Sequence, residues 1–422
     1  MVAVAGLRGT GSWGPNERPT NFREMILWRN TRGSAPIFAL SSKANKEAST
    51  DPIYNWWDEA VGIKRLQLGA AVATTDTVFT VVGSDPTADT PTAVFGSALH
   101  LVPGDLLMWE PNNPAEYTGF GEIIEVVQVL SATTFVAKRG ACGTTIGTMA
   151  YSGAGTGDFL LNMGRAFAEG TSAPKSVTNN PVGYQNYTQI WKTSYEMTEN
   201  AALTHVRTGD ARSNDKLRRS KDHAQAIELN MVFGQKSVTV GENNQPKRTT
   251  GGILSFLPKS NSDDTVNRVI NFTSAVTIPK FLDAVSRVFQ YESPGGDERM
   301  VFCGNRALNE INKVIMGSGE IAWGPTIEQW GLNVTEMRFP QGTLFFKRHP
   351  LFNMHAALSA CMLIVDFSAL RWRYVKGRDG VFKDDVQMKD EDLHRGFWLT
   401  DGGLEVWYGG QTMAFLTNIS AT

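Results

Sequence analysis

SNDKLRRSKDHAQAIELNMVFG, residues 213–234, is the longest helical pattern in this 422-residue sequence. Its apolar residues recur at helical spacing and predict one buried face, formed by Leu217, Ala224, Ile227 and Met231. Ser213 can cap the start of the helix, and Gly234 can end it. We therefore expect a helix over residues 213–233.

The other face of this helix is basic and carries Lys216, Arg218, Arg219 and Lys221. Such a face can contact nucleic-acid phosphates. A solvated helix face with i,i+4 ion pairs accounts for the same residues at least as well, so the residues alone leave both interpretations open.

Upstream of the helix the sequence is rich in strand-forming residues. GYQNYTQIWKTSYEM, residues 183–197, alternates in part through Tyr187, Ile190 and Tyr195 and predicts a long strand. Its aromatic residues could stack bases or sugars, although such alternation more often packs a sheet. Residues 65–150 contain four short β-forming runs separated by turns, which predict a small barrel or sandwich: VFTVV (78–82), DLLMW (105–109), EIIEVVQVL (122–130) and TFVAKRG (134–140).

Downstream of the helix, helical and strand patterns alternate. An amphipathic helix is predicted over 277–293, with Thr277 as its cap and Pro279 in its first turn. The elements expected after it are a strand at 299–304, a helix at 307–316, a hairpin of NVTEMRF and TLFFKRH around PQG, an apolar strand at 360–367 and a strand-like C-terminal stretch. This order predicts a mixed α/β domain.

The N-terminal region has a different character. Residues 1–20 are punctuated by Gly and Pro and predict an extended arm, which a short helix from Asn21 to about Gly33 follows. APIFALSSKANKEASTDPIYNWWDEAV, residues 35–61, then leads through a polar stretch to a tryptophan pair, Trp56 and Trp57.

Composition sets further limits. Hydrophobic residues make up 41% of the chain and the formal net charge is −2, so no global charge indicates a nucleic-acid or membrane partner. Residues 1–50 carry seven Lys/Arg against three Asp/Glu, whereas residues 66–160 carry two against nine. The three cysteines show no paired spacing and predict reduced thiols in a reducing compartment. We expect neither a signal peptide nor a transmembrane helix.

Catalytic and metal-binding patterns are weak. GTGSWG at 9–14 matches the dinucleotide-binding motif, but Pro15 and Pro19 stand where that motif needs a helix. The six histidines show no metal-ligand pairing. Acid clusters suit solvated loops better than a calcium site, namely those at 263–264, 384–385 and 390–392. We expect no enzyme activity, no cofactor and no metal site.

The chain is predicted to contain, in order, a basic arm, strands, a long helix and a mixed α/β domain. This order resembles that of tailed-phage major capsid proteins with the Hong Kong 97-like fold. Several local stretches are similar as well: APIF (35–38), NWWDEA (55–60), NYTQIWKTSYEMTENA (186–201), HAQAIELNMVFG (223–234) and TTGGIL (249–254). The resemblance covers nearly the whole chain. It implies an α+β fold of that type.

The resemblance also implies a division of the chain. Its parts are an N-terminal arm (1–50), an extended loop (51–205) with a β-rich insertion at about 65–165, a peripheral domain (206–274) with a spine helix (213–233), an axial domain (275–400) and a C-terminal strand returning to the peripheral domain (401–422).

The implied function is that of a major head protein of the virion. Copies would assemble noncovalently, in the host bacterial cytoplasm, into hexamers and pentamers of an icosahedral shell around double-stranded DNA. Implied partners are the chain itself, a portal protein, a separate scaffold, a decoration or cement protein and the packaged DNA, with no membrane. The expected intersubunit contacts are Trp13, Phe22, Trp28, Phe38, Trp56, Trp57, Tyr187 and Trp191. The expected inward contacts to DNA are Arg8, Arg18, Arg23, Arg29, Arg32, Lys216, Arg218, Arg219 and Lys221.

Two other classes of protein stay open. One is another virion structural protein, such as a decoration or tail protein whose β module binds glycans. The other is an enzyme whose site is assembled from residues far apart in the sequence.

Overall fold

The computed structural model of the chain describes residues 46–58, 65–82, 98–111, 121–150, 157–167, 169–170, 181–204, 209–259, 267–318, 326–329 and 332–420. None of the helices within these ranges is long and apolar enough to cross a membrane.

Strands and helices alternate along the described residues. The strands are β1 (Lys46–Ser49), β2 (Ile53–Asp58), β3 (Arg65–Gln67), β4 (Val78–Thr80), β5 (Asp105–Glu110), β6 (Ile123–Val129), β7 (Thr134–Lys138), β8 (Phe159–Arg165), β9 (Val182–Tyr187), β10 (Gln189–Thr198), β11 (Ser237–Val240), β12 (Pro246–Thr249), β13 (Val269–Asn271), β14 (Glu298–Cys303), β15 (Thr326–Gln329), β16 (Leu332–Phe339), β17 (Gly342–Arg348), β18 (Met362–Val365), β19 (Leu370–Val375), β20 (Val381–Lys383), β21 (Leu393–Val406) and β22 (Ala414–Thr417). The α-helices are α1 (Glu199–Leu203), α2 (Ala211–Phe233), α3 (Ile253–Phe256), α4 (Ile278–Val288), α5 (Asn305–Ser318) and α6 (Ala356–Ser359).

Helix α2 packs on a sheet with the strand order β1-β19-β21-β10, in which β20 also pairs with β21. Strand β10 runs antiparallel to β21 along its whole length, and the short β1 runs parallel to β19 at the opposite edge. Ile227 and Met231 of α2 are buried in one apolar cluster with Trp191, Trp372 and Leu404 of the sheet. Burial of such a side chain contributes roughly 1.5–3 kcal/mol, so apolar packing holds the helix on the sheet.

The two ends of α2 differ in how well the sequence predicted them. The C-terminal end is at Gly234 as predicted, and its N–H donates to the carbonyl of Asn230 at 2.9 Å. The start is not at Ser213: Asp210 is the cap, and its side chain accepts from the N–H of Arg212 at 3.0 Å. An aspartate is as good a cap as a serine and lies earlier in the chain, so the helix begins there.

The predicted apolar face of α2 is correct only toward its C-terminal end. Ile227 and Met231 are buried, but Leu217 is 47% exposed. The side chains of His223 and Glu228 are buried instead, because each has a polar partner in the interior.

The second sheet has the order β13-β22-β18-β14-β17-β16-β15. Helices α4 and α5 bury their apolar faces with its strands, and the shared cluster includes Phe281, Val285, Val288, Ile311, Ile315, Met362, Ile364 and Leu416. The predicted strand, second helix and hairpin of this region are confirmed, since β14, α5 and the antiparallel β16–β17 pair lie at the expected positions. Helices and sheets are mixed along the chain, and the predicted α+β class is confirmed.

The helix predicted over 277–293 is shorter than expected. Thr277 is its cap residue and Pro279 lies in its first turn, as predicted, but the helix ends at Val288. Phe289 leaves helical geometry, with φ −95° and ψ 7°, and its N–H donates to Ser286 at 3.2 Å in a tighter turn.

Six antiparallel strands between residues 65 and 165 form a separate sheet in the order β3-β8-β5-β6-β7-β4. The first and last strands also meet: Leu68 bridges Val81, and the N–H of Val82 donates to the carbonyl of Gln67 at 2.9 Å. The described strands are therefore closed into a barrel. Its interior is a distinct apolar core that includes Leu66, Leu68, Phe79, Leu107, Ile124, Phe135 and Leu160. All four predicted β runs are strands, and the module is a barrel rather than a sandwich.

Candidate assembly surfaces

The tryptophan pair lies on a two-stranded ribbon formed by β2 and β9. In this ribbon Trp56 is opposite Tyr184 and Trp57 is opposite Gly183. Successive residues of a strand face opposite sides, so one ring must point inward and the other outward. Trp56 is 6% exposed and lies 5.9 Å from the ring of Tyr184, whereas Trp57 is 72% exposed.

The inward face of the ribbon is fixed to the main sheet. The hydroxyl of Tyr54 donates to the carbonyl of Leu404 at 3.0 Å, and burial raises the pKa of Tyr54. The side-chain amide of Asn186 donates to the carbonyls of Leu404 and Gly251 at 2.7 and 3.1 Å. These bonds satisfy backbone carbonyls of the long strand β21 and of the turn before α3, and they hold the ribbon at a fixed position.

The long strand predicted at 183–197 is two strands, because Thr188 interrupts the ladder and donates its N–H to the carbonyl of Pro52 at 2.8 Å. Trp191 and Tyr195 point into the interior, and Ile190 is 53% exposed. The ring of Trp191 stacks on Trp372 at 6.1 Å. The aromatic alternation therefore packs a sheet here, through Trp191 and Tyr195 rather than Ile190.

Of the predicted contact residues within the described ranges, Trp57 is the most exposed. Trp56 and Trp191 are packed inside this chain, so of the tryptophan pair only Trp57 is exposed for contact with another subunit. Tyr187 is half-buried, and its hydroxyl donates to Gln185 at 3.4 Å. The structure does not gather these residues into one surface. The remaining predicted residues lie outside the described ranges, namely Trp13, Phe22, Trp28, Phe38, Arg8, Arg18, Arg23, Arg29 and Arg32.

The basic face of α2 is partly neutralised within the chain. Arg218 lies 3.6 Å from Asp215, and Arg219 lies 3.3 Å from Asp222. Both pairs are on the exposed helix surface, where an ion pair contributes about 0–1 kcal/mol. These two surface ion pairs therefore stabilise the helix little.

Lys216 is different, because it belongs to a polar cluster centred on Asp384. This carboxylate accepts from Lys216, from Arg212 at 3.2 Å and from the hydroxyl of Tyr195. Burial alone would raise the pKa of Asp384, but hydrogen bonds from Lys216, Tyr195 and Arg212 outweigh it and hold the pKa well below its usual value. The cluster joins α2, β10 and the loop after β20.

Sequence reasoning placed residues 384–385 in a solvated loop and missed this cluster. The partners of Asp384 lie 168 to 189 positions away in the sequence, so no local pattern could reveal them. The only available signal was a pair of cations, Arg212 and Lys216, near the start of a helix, where the helix dipole disfavours positive charge and an anionic partner is needed.

The short strand β1 is attached to the sheet edge mainly by polar contacts. Lys46 pairs with Asp379 at 2.8 Å. Arg373 pairs with Glu47 at 2.6 Å and with the buried Glu405 at 2.5 Å. The side chains of this strand are mostly exposed, so backbone pairing and these ion pairs hold it in place.

Two histidines connect α2 to its surroundings. His223 lies between Thr193 at 3.0 Å and Thr400 at 2.8 Å, and burial lowers its pKa. His349 contacts Glu228 at 2.6 Å, and both side chains are buried. Among the residues that the structure describes, no group of three or more His, Cys, Asp or Glu side chains could hold a metal ion.

Known proteins are similar to this chain over most of its length. The family described as SU10 major capsid protein matches residues 31–420. A major capsid protein of Pseudomonas phage PaMx41 is 27% identical over 386 residues, which cover 90% of this chain and 84% of that protein.

Similar solved structures include the capsid of a native GTA particle, with 9% identity, a TM-score of 0.47 and coverage of 99% of this chain and 100% of that chain. A chain of Mycobacterium phage Bobi has 7% identity, a TM-score of 0.42 and coverage of 96% of each chain.

The structure has the arrangement predicted for a Hong Kong 97-like chain. A long helix follows extended strands and precedes a mixed domain. The family match spans nearly the whole chain. The chain therefore belongs to the SU10 major capsid protein family, and the prediction of a phage major capsid protein is confirmed.

Proposed function

We propose that copies of this chain form hexamers and pentamers that close into the icosahedral head of a tailed phage around double-stranded DNA. The observation that carries the proposal is the match to a major capsid protein family over residues 31–420. The role is structural rather than enzymatic. The protein is a component of the virion, and we infer that it assembles in the cytoplasm of the bacterial host.

The proposed division of the chain follows its connectivity. Residues 1–50 act as an N-terminal arm, and residues 51–205 as an extended loop that carries the barrel. Residues 206–274 form the peripheral domain around α2, residues 275–400 the axial domain, and residues 401–422 the returning strand. The separate apolar core of the barrel supports the proposed insertion within the extended loop.

Trp57 is the proposed aromatic contact with a neighbouring subunit. Its indole covers Gly183, where an added Cβ would lie 3.2 Å from the ring, yet 72% of the side chain stays exposed. Large exposed aromatic side chains are typical anchors of protein interfaces. A neighbouring copy would bury this indole, and the arm residues Trp13, Phe22, Trp28 and Phe38 are proposed to contribute further aromatic contacts.

The proposed inner surface includes the basic face of α2. Because exposed i,i+3 ion pairs are weak, Arg218 and Arg219 can exchange their acidic partners for DNA phosphates at little cost. Lys216 is held more firmly by Asp384 and is the weakest candidate of this group. We propose the same non-specific role for Lys221 and for the arginines of the N-terminal arm. A portal protein, a separate scaffold and a decoration protein complete the proposed partners.

Electron microscopy of the purified chain, and of the chain co-expressed with a scaffold, tests the assembly. We expect closed polyhedral shells or five- and six-fold rings. A chain that stays monomeric under all assembly conditions would contradict the proposal.

A second measurement tests the DNA contact. Shells formed by the double variant R218E/R219E should retain less nucleic acid, measured by the 260/280 nm absorbance ratio of purified particles. The matched control reverses two exposed lysines elsewhere, Lys138 and Lys313. Equal nucleic-acid content in all three shells would contradict the assignment of this face to DNA.

A further inference from the structure

The hairpin of β11 and β12 projects from the C-terminal end of α2. Its base is closed there, since the N–H of Gly252 donates to the carbonyl of Gly234 at 2.9 Å. The turn is well defined: the N–H of Gly241 donates to Gln245 at 2.8 Å, and Asn244 adopts a left-handed conformation with φ 58°. The sequence thus encodes a specific hairpin rather than an irregular loop.

One face of this hairpin is apolar. Val238 pairs with Arg248, and Val240 pairs with Pro246, so these four side chains share a face. Val238 is 50% exposed and Val240 is 72% exposed. We call this surface the apolar hairpin face. A two-stranded hairpin is at best marginally stable in water, so a hairpin with this composition needs a second surface against its apolar face.

A surface of matching chemistry lies in the loop at residues 386–392, which we call the acidic loop. Val386 is 39% exposed and Met388 is 67% exposed, and both stand beside the exposed acids Asp390 and Asp392. The loop is ordered by its backbone, since the N–H of Val386 donates to the carbonyl of Arg395 at 3.0 Å. It therefore offers apolar area with a negative rim.

The charges of the two surfaces are opposite. Alternation places Lys236 and Arg248 on the side of the hairpin that carries Val238 and Val240. Residues 386–392 contain three acids and one lysine, and of these acids Glu391 lies 3.6 Å from Arg395. Apolar contact at the centre with opposite charges at the rim is the usual composition of a specific interface. Two copies of the same surface would instead bring like charges together.

The two surfaces cannot meet within one chain. The acidic loop follows Asp384, which is bound to Arg212 in the first turn of α2, while the hairpin begins after Gly234 at the other end. Helix α2 has 23 residues, which at a rise of about 1.5 Å per residue separates its ends by about 33 Å. The complementary surfaces thus lie at opposite ends of one rigid element.

We propose that the apolar hairpin face docks on the acidic loop of a second copy of this chain. The contact is heterologous, with the hairpin of each copy on the loop of the next, and contacts of this kind close into rings when the rotation permits. The inference rests on the proposed shell, and it names one contact between subunits in that shell.

Charge reversal tests the contact. One variant carries K236E and R248E, which alternation places on the same side of the hairpin as Val238 and Val240, and the other carries D390K and D392K on the loop. Each places like charges against each other, and we expect shell yield to fall to about a tenth of wild type or less. The quadruple variant restores opposite charges with exchanged signs, and its yield should return to within about two-fold of wild type.

Mixing the two reversed chains adds a test of contact between copies. Neither chain can dock on itself, but each hairpin then fits the loop of the other chain, so a mixture should form six-membered rings that neither forms alone. A five-membered ring would contain at least one mismatched contact, so rings rather than closed shells are the readout. Circular dichroism and thermal melting must match wild type for each variant. The control with K138E and K313E should assemble normally.

A second variant tests the apolar part without changing charge. V238T/V240T keeps the β-branched shape and the hairpin, and should lower shell yield while leaving the melting temperature unchanged. The inference is overturned if a folded reversed variant assembles as wild type does, or if the quadruple variant fails to recover. Failure of the wild-type chain itself to form shells would instead reject the proposed function.

Discussion

Replacing Glu122 by glutamine tests the buried ion pair that joins three segments of the barrel. Arg139 donates to this carboxylate through Nε at 2.7 Å and Nη2 at 2.6 Å, and both side chains are buried. The backbone N–H groups of Gly140 and Gly147 donate to it at 2.9 and 3.1 Å. Glutamine keeps the shape but turns one acceptor oxygen into an NH₂ donor, so two of these four donors lose their acceptor.

The expected cost follows from that count. A hydrogen bond to a charged group contributes about 1.5–3 kcal/mol, and removing one partner of a buried ion pair costs about 3–5 kcal/mol. We therefore expect E122Q to destabilise the barrel by roughly 3–5 kcal/mol. At 1.4 kcal/mol per factor of ten, this corresponds to amide exchange in the barrel core that is faster by about 10² to 10³ or more.

Hydrogen exchange with mass spectrometry can measure this effect locally. Peptides from β6 and β7 should lose protection in E122Q, while peptides from α2 should exchange as in wild type, because the barrel has its own core. The double variant E122L/R139M removes both charges but leaves the N–H groups of Gly140 and Gly147 without an acceptor, so it should not recover the protection of wild type. Protection in E122Q within about tenfold of wild type would refute the reasoning, as would equal losses in α2.

The pH dependence gives an independent check. Burial raises the pKa of Glu122, but the hydrogen bonds from Arg139, Gly140 and Gly147 outweigh it and lower the net pKa. Since the folded pKa lies below the unfolded value of about 4.3, the stabilisation is complete above that pH and is lost as pH falls through the folded pKa. The difference between wild type and E122Q should therefore shrink on acidification.

Three further outcomes are expected. W56A should destabilise the subunit by about 3–5 kcal/mol in thermal or denaturant unfolding. W57A should leave the unfolding free energy almost unchanged but lower shell yield. The reverse pattern would contradict the inward orientation of Trp56 and the outward orientation of Trp57. Deleting residues 1–34 should leave a folded subunit by circular dichroism but shells of lower heat resistance, because the proposed aromatic contacts of the arm are lost. Shells of normal heat resistance would refute those contacts. Because burial lowers the pKa of His223, the free energy of unfolding should fall as pH drops below about 6.5. H223Q should remove the part of this pH dependence that His223 contributes. The same dependence of unfolding free energy on pH in wild type and H223Q would contradict this prediction.

Local sequence patterns predicted most elements of the fold, because each depends on neighbouring residues. The β runs of the barrel follow from alternation, and Pro279 fits the first turn of α4. Gly234 ends α2 because a Cβ there would clash with the carbonyl oxygen of Asn230, and Thr277 begins α4 without a side-chain capping hydrogen bond. The closure of the barrel is different: it depends on the pairing of Leu68 with Val81 and on strand order, which alternation does not specify.

The candidate surfaces were harder to predict, because they depend on which distant residues meet. Alternation required one ring of the tryptophan pair to face inward, but only the positions of Tyr184 and Phe256 decide that it is Trp56. The apolar hairpin face was missed because Val238 and Val240 alternate as half-buried strand residues do, and the structure places nothing large over them.

The strands that precede and follow the barrel are paired with each other, and so are its first and last strands. Asp58 is paired with Val182 in the ribbon, and Arg65 is paired with Leu161 in the barrel, so the incoming and outgoing segments lie side by side at both positions. A domain joined in this way is an exchangeable cassette, because its removal leaves two adjacent strand ends that a short turn can connect. Capsid engineers can use residues 59–181 as a site for grafting a foreign domain, with the ribbon as the fixed adaptor and the particle as the display platform.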